Sequence, residues 1–201
     1  SYINQISYDP YSKQLLIYYS DGLIDLMNDK GVITPIADLS LKQLSTEKTA
    51  YSIVTENKMA YIATEFGILV VNTDKREIAD SYLIGDNGRE VALRQIALSK
   101  DSIYAISASH LYKAGRNTNL SDYSNWQRTT LPFGSDSLSN IICHNDALYI
   151  RRAGKLYIRQ SGSWTQVSVS YPLTGLCSDD NRLYALFANG FGTLKSDGNI
   201  E

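Results

Sequence analysis

Residues 60–71 read AYIATEFGILVV, two short apolar runs broken by Thr64, Glu65, Phe66 and Gly67. Runs of four residues bounded by polar residues and glycine fit strands joined by a turn. The same shape recurs along the chain. Ile53 and Tyr61 lie eight residues apart across Glu56, Asn57 and Lys58. The same step joins Ile96 to Tyr104 across SKD, Ile141 to Tyr149 across HND and Leu176 to Tyr184 across DDNR, and a looser first copy has Ile6 and Leu16 around DPYSK. Each interruption carries the Asn, Asp, Ser or Lys of a tight turn, so each copy reads as an antiparallel hairpin.

A third apolar pair follows at a similar offset in every copy: Leu23-Ile24, Ile68-Leu69, Leu111-Tyr112, Leu156-Tyr157 and Phe191-Gly192. A fourth strand is visible in SNWQRTTLP at 124–132 and in GSWTQVSVSYP at 162–172. Ile6, Ile53, Ile96, Ile141 and Leu176 stand 47, 43, 45 and 35 residues apart. Four strands in about 40 residues is the size of a propeller blade, and such blades close radially rather than stacking as an open solenoid. The fold expected is all-β, a β-propeller of four-stranded antiparallel blades at about 1–48, 49–91, 92–137, 138–172 and 173–201, the last incomplete. Either five blades close imperfectly or they are consecutive blades of a larger, seven-bladed ring; the incomplete fifth copy favours the larger ring. The flanks of terminal blades would then promote self-association.

Two segments test this frame. REVALRQIAL at 89–98 is rich in helix formers. The repeat makes 93–98 an innermost strand, because tertiary context overrides propensity. DLSLKQLSTEK at 38–48 lies between blades and has room for one helical turn.

The bulk numbers agree. A chain of 201 residues suits one domain. Its 43% apolar and 20% charged residues are ordinary for a globular protein, and 15 tyrosines against four prolines favour strands. Nineteen basic against 21 acidic residues leave a net charge of -2, which points to neither nucleic acid nor an anionic membrane as partner. No apolar run approaches the roughly 18 residues of a membrane span, and residues 1–20 lack the pattern of a signal peptide. Because the chain opens on Ser1 in a strand-like segment, a targeting segment removed from its front is expected. Cys143 and Cys177 match no metal or redox spacing and are expected to fill core space; nothing in the spacing supports a disulfide.

Chemistry is poorly represented. There is no nucleophile elbow, zinc helix, Walker loop or dinucleotide fingerprint, and GDNG at 85–88 lacks the strand-to-helix context of a phosphate loop. His110 lies between second and third strands and His144 between first and second, so the two project from opposite faces of the ring and share no metal. A Cys143-His144 dyad fails because adjacent strand residues point to opposite sides. Asp21, Asp25, Asp29, Asp179 and Asp180 read as turn residues that bond the backbone. The protein is therefore not expected to be an enzyme, and no cofactor or metal is expected.

A binding face is the stronger expectation. Turns between second and third strands emerge on one side and present Tyr19, Asp21, Glu65, Phe66, His110, Arg151, Arg152, Phe187 and Asn189. Aromatic platforms beside charges suit sugars or peptides, and arginine forks match phosphate or carboxylate. Trp126 and Trp164 occupy comparable places in successive fourth strands and read as blade packing.

SYDPYSKQLLIYYSDGLIDLM at 7–27 and AYIATEFGILVVNTDKREIADSYLIGDNG at 60–88 resemble the N-terminal propeller of PorZ-like proteins, components of the type IX secretion system of Bacteroidetes. The matching pieces are Tyr8-Asp9, the Asp21-Gly22 turn with Ile24-Asp25-Leu26, Phe66-Gly67-Ile68, Glu77-Ile78 and 85–88. More distantly the chain resembles two-component regulator propellers of the same bacteria. The first resemblance implies a non-catalytic scaffold in the periplasm or on the outer cell surface, beside other secretion-system proteins including a sortase-like protease, and binding of anionic lipopolysaccharide. The second implies an oligosaccharide-sensing propeller of a hybrid two-component regulator.

Overall fold

Alternation along each strand sends successive side chains to opposite sheet faces, and here both faces of most strands are apolar, so each sheet must be covered twice. The computed structural model, which describes residues 1–134, 136–169, 171–179, 181–195 and 198–201, meets that demand with five antiparallel sheets standing face to face around one axis as a β-propeller. Blade 1 holds β1 (Ile3–Asp9), β2 (Gln14–Tyr19), β3 (Ile24–Asn28) and β4 (Ile33–Ile36). Blade 2 holds β5 (Ala50–Glu56), β6 (Met59–Thr64), β7 (Ile68–Asn72) and β8 (Glu77–Tyr82). Blade 3 holds β9 (Gln95–Leu98), β10 (Ser102–Ile106), β11 (Leu111–Gly115) and β12 (Gln127–Thr129). Blade 4 holds β13 (Leu138–His144), β14 (Ala147–Arg152), β15 (Lys155–Gln160) and β16 (Ser163–Val167). Blade 5 has β17 (Gly175–Ser178), β18 (Leu183–Phe187) and β19 (Gly190–Thr193), with a single bridge between Leu194 and Ile200 at the place of a fourth strand.

Of the segment 93–98, residues 95–98 form the strand that the repeat requires and Leu93 and Arg94 lead into it: β9 pairs with β10 from Gln95 opposite Ile106 to Leu98 opposite Ile103. One helical turn, α1 (Asp38–Leu41), seats Leu39 in the core between blades 1 and 2. The hairpin turns use the expected chemistry. Asn57-Lys58 and Asn145-Asp146 both take left-handed φ at two successive residues, the conformation that matches the twist of a two-residue hairpin. Gly67 has φ +142°, and a Cβ there would meet the Tyr82 carbonyl oxygen at 2.3 Å, so the turn from β6 to β7 requires glycine.

The core is four separate seams, each drawn from two successive blades. Leu16, Tyr18 and Leu26 of blade 1 meet Ala60, Ile62 and Val71 of blade 2. Ala63, Ile68 and Val70, on the other face of blade 2, meet Ile96, Ile103 and Ala114 of blade 3. Tyr104 and Ile106 meet Ile141 and Ile150 in the third seam, and Ile142 and Tyr149 meet Leu176 and Ala185 in the fourth. The remaining two faces are open. On blade 1, Ile6 and Tyr8 are more than half exposed, and on blade 5 Phe191 is 74% exposed. Cys143 packs partly into the third seam, whereas Cys177 is exposed on the outward face of blade 5. The expectation that both cysteines fill core space is thus corrected for Cys177: its neighbour Leu176 takes the inward position, and alternation turns Cys177 the other way. Both thiols are free.

Polar clasps tie neighbouring blades on the face that carries the turns between first and second strands. Asp9, fully buried, accepts from the Tyr11 backbone N–H (3.0 Å) and from the Ser12 and Thr73 hydroxyls (2.6 Å each), the last across the first seam. One seam on, the Arg116 guanidinium forks onto Glu56 and also donates to the Ser99 carbonyl at 3.0 Å. Hydrogen bonds to a buried carboxylate are strong, and their loss strands the donors. Asp9→Ala is expected to lower unfolding free energy by about 2–3 kcal/mol, seen as a lower urea midpoint at unchanged slope. Asp9→Ala with an unchanged midpoint would remove the clasp from the account.

Candidate functional site

Up-and-down blades place the turns between second and third strands, and the starts of the first strands, on one face of the ring. There Tyr19 donates its hydroxyl to Asp25 Oδ2 at 3.0 Å, and Asp21 accepts from the Leu23 backbone N–H at 3.2 Å. In blade 2 the Tyr51 hydroxyl bonds the Glu65 carboxylate. In blade 3 the His110 ring stacks obliquely on Tyr112 with centroids 6.1 Å apart, and its Nδ1 meets the Ser109 hydroxyl at 2.9 Å. Asn189 is exposed; Phe187 is half-buried against the fourth seam and edge-on to Tyr171.

Three of the nominated residues are occupied by the fold. Phe66 is only 5% exposed and belongs to the seam between blades 1 and 2. Arg151 donates through Nε to the Leu173 carbonyl at 2.7 Å and through a terminal nitrogen to Ser139 Oγ at 2.9 Å, pinning the crossover into blade 5. Arg152 pairs with Asp136 and donates to its carbonyl, holding the crossover into blade 4. The two arginines point apart, as strand alternation demands. What the face leaves free is a set of tyrosines, carboxylates and amides spread over separate blades.

The electrostatics follow from the hydrogen bonds. The bond to Glu65, with smaller contributions from burial and from the charges of Glu65 and Glu47, pushes the Tyr51 hydroxyl up to about 12. The Asp25 bond likewise raises Tyr19, and the Leu23 N–H leads in lowering Asp21. A carboxylate that already accepts a phenol proton is a poor general base, so the face is better suited to holding a polar ligand than to moving protons. Among the described residues no group of three or more His, Cys, Asp or Glu side chains is placed to hold a metal. Tyr51 escaped the sequence reading because that reading confined the face to second-to-third turns; the antiparallel order puts the start of every first strand at the same end.

The carboxylates otherwise behave as turn residues, with one exception. Asp179 accepts from the Asn181 and Arg182 backbone N–H groups and from the Tyr184 hydroxyl. Asp25, however, lies inside β3, and Asp180 falls outside the described residues. Trp126 is buried in the second seam, as expected of a packing residue, whereas Trp164 packs edge-on to Phe133 beside the third and stays half-buried, with part of its surface lining a cleft. At the axis, a cavity of about 560 Å³ is lined by β5, β9, β13 and β17 together with Tyr11. Its lining includes Glu56, Gln95, His144 and Asp179.

Comparison with known proteins defines the class. The family model of the N-terminal β-propeller domain of PorZ, of the type IX secretion system, matches residues 1–127, and the chain belongs to that family. Among solved structures it is similar to PorZ of Porphyromonas gingivalis, at a TM-score of 0.84 and 22% identity, over 98% of this chain and 26% of that one. The chain thus spans about a quarter of the length of that relative. It is also similar to the extracellular domain of a putative hybrid two component system from B. thetaiotaomicron (TM-score 0.68, 14% identity, 100% of this chain and 29% of that one). BamB from Moraxella catarrhalis follows at 0.62 and 15%, over 92% and 56%. None of the curated proteins matches in sequence. The chain is a PorZ-type β-propeller module, and its relatives are secretion-system surface components and extracellular domains, consistent with export. Among the described residues no helix is long and apolar enough to cross a membrane.

The cysteines give a direct check on the blade faces. Burial pushes the Cys143 thiol up to about 12, while Cys177 is raised by partial burial and then by the Asp179 charge. Thiolates are the reactive species. At pH 8 a disulfide reagent is expected to modify Cys177 readily and Cys143 only after denaturation, as counted by absorbance and located by mass spectrometry. Equal rates for the two, or none for Cys177, would contradict the assigned faces.

Proposed function

We propose that this propeller is a non-catalytic binding and scaffolding module of a type IX secretion component. In that role it stands beside a sortase that attaches cargo to anionic lipopolysaccharide, and it holds that glycan in the periplasm or at the outer surface. The observation that carries the reading is the PorZ family match over residues 1–127, joined by a similarity to the PorZ structure that runs through the whole chain. The turn face supports it, with Tyr19, Tyr51, Asp21, Glu65, His110, Phe187 and Asn189 as the candidate contacts, since tyrosines beside amides and carboxylates suit sugar hydroxyls. Arg151, Arg152 and Phe66 act there by supporting the loops.

The same reading takes the open faces of blades 1 and 5 as seats for further blades of a seven-bladed ring. Ile6, Leu15, Ile17 and Met27 occupy on blade 1 the register that Ile53, Ala60, Ile62 and Val71 occupy on blade 2, where the preceding blade covers it. In a longer protein carrying those blades, Cys177 becomes inert; where the faces stay open, they drive self-association.

A second reading, a sensor propeller for an oligosaccharide in a hybrid two-component regulator, draws on the similarity to the B. thetaiotaomicron extracellular domain. Binding to immobilised anionic lipopolysaccharide, compared with the neutral form from the same cells, separates the two. The secretion reading expects saturable binding to the anionic form that Tyr51→Ala with His110→Ala, which removes two hydrogen-bond donors of the face, weakens by about tenfold. Binding to neither form, or equally to both, would overturn it.

A further inference from the structure

The third seam breaks the pattern of the other three. Cross-strand register gives each seam an equivalent pair of facing positions toward its outer half. These are Leu26 against Val71 between blades 1 and 2, Val70 against Ala114 between blades 2 and 3, and Ile158 against Leu194 between blades 4 and 5. All six are apolar. Between blades 3 and 4 the pair is Lys113 against Arg159. Two like charges thus occupy a place that the rest of the fold fills with hydrocarbon, and departures of this kind from a locally consistent pattern mark functional sites.

The walls around them are built. Lys113 pairs across strands with Tyr104 on one side and Gln127 on the other, so these three share the face of blade 3 turned to blade 4. Arg159 pairs with Leu148 and Trp164, which share the opposing face of blade 4. All six line one cleft of about 200 Å³, together with Leu111 and Thr129, and among the described residues no carboxylate lines it. At about 30 Å³ per water, that cleft has room for a ring-sized molecule. A second cleft of about 440 Å³ shares Tyr104, Leu148 and Arg159 and continues the groove, with Lys100, Asp101 and Asp146 at its margin. The Lys113 ammonium lies 5.8 Å from the centre of the Tyr104 ring. Among the described residues neither Lys113 nor Arg159 has an ion-pair partner, although both are half-buried. Half-buried like charges repel, and an anion between them removes that cost.

We propose that the seam between blades 3 and 4 is a binding site for an acidic sugar, one carrying a carboxylate or a phosphate. Its anionic group sits between the Lys113 ammonium and the Arg159 guanidinium, whose planar fork suits either oxyanion. The sugar ring lies along Trp164 and Tyr104, and Gln127, Thr129 and Ser161 are in reach of its hydroxyls. This site is separate from the turn face and does not depend on the secretion reading.

The test is a titration of the whole chain with sodium glucuronate, glucose 6-phosphate and glucose, followed by Trp164 fluorescence in a Trp126→Phe background and by calorimetry. Saturable binding of either anionic sugar, absent for glucose and weakened about tenfold or more by Lys113→Met and by Arg159→Met, supports the site; which anion binds names its source. Both substitutions restore the apolar pattern of the other seams, so the urea midpoint should stay or rise, which keeps loss of binding distinct from loss of fold. Binding of neither anionic sugar, binding of glucose as tight as theirs, or affinity indifferent to both substitutions would overturn the proposal. Because the probes are free sugars, failure here leaves the lipopolysaccharide reading standing, and the reverse also holds.

Discussion

The structure depends on one constraint: a four-stranded sheet that is apolar on both faces has no stable place except between two others. Along β6, Ala60 and Ile62 turn to blade 1 while Ala63 turns to blade 3; along β13, Ile141 turns to blade 3 and Ile142 to blade 5. No blade has a core of its own. Stability therefore resides in the seams, and fully burying a branched or aromatic side chain contributes about 1.5–3 kcal/mol. The polar clasps at Asp9 and at Glu56–Arg116 add direction to contacts that are otherwise unspecific, fixing how one blade is seated on the next.

Much of the fold was legible because its signals are local. The eight-residue step from Ile53 to Tyr61 is the length of a hairpin, and Asn57-Lys58 and Asn145-Asp146 are residues that tolerate left-handed φ. Even 93–98, which favours helix by composition, was settled by the repeat and not by its own residues. The site was less legible. Whether Phe66 is a platform or a core residue turns on the direction of one side chain at a turn, and it points into the first seam. Sequence makes Arg151 and Arg152 candidate contacts on opposite sheet faces, and what occupies them, backbone carbonyls 22 and 16 residues away, lies beyond local pattern. The Lys113 and Arg159 pairing joins residues of different blades, and only the register of two sheets reveals that they face each other.

Labour is divided between the sheets and the loops. Apolar seams hold the sheets, the crossovers are pinned by arginines, and the loops are left to carry tyrosines and carboxylates that the sheets do not need. Carboxylates on the turn face are matched with phenols or backbone N–H groups rather than with one another. Similarity to a secretion component and to the extracellular domain of a putative hybrid two component system shows the same sheet array in proteins with different descriptions, as expected when one fold hosts many functions.

Amide hydrogen exchange resolved by residue addresses the sheet array most directly. Slow amides should recur in five blocks centred on β2, β6, β10, β14 and β18, with 95–98 protected as strand and β1, whose blade has one face open, faster than β5, its covered counterpart. A single unbroken block of protection, or helical exchange and chemical shifts through 93–98, would contradict an architecture of separate blades joined at seams.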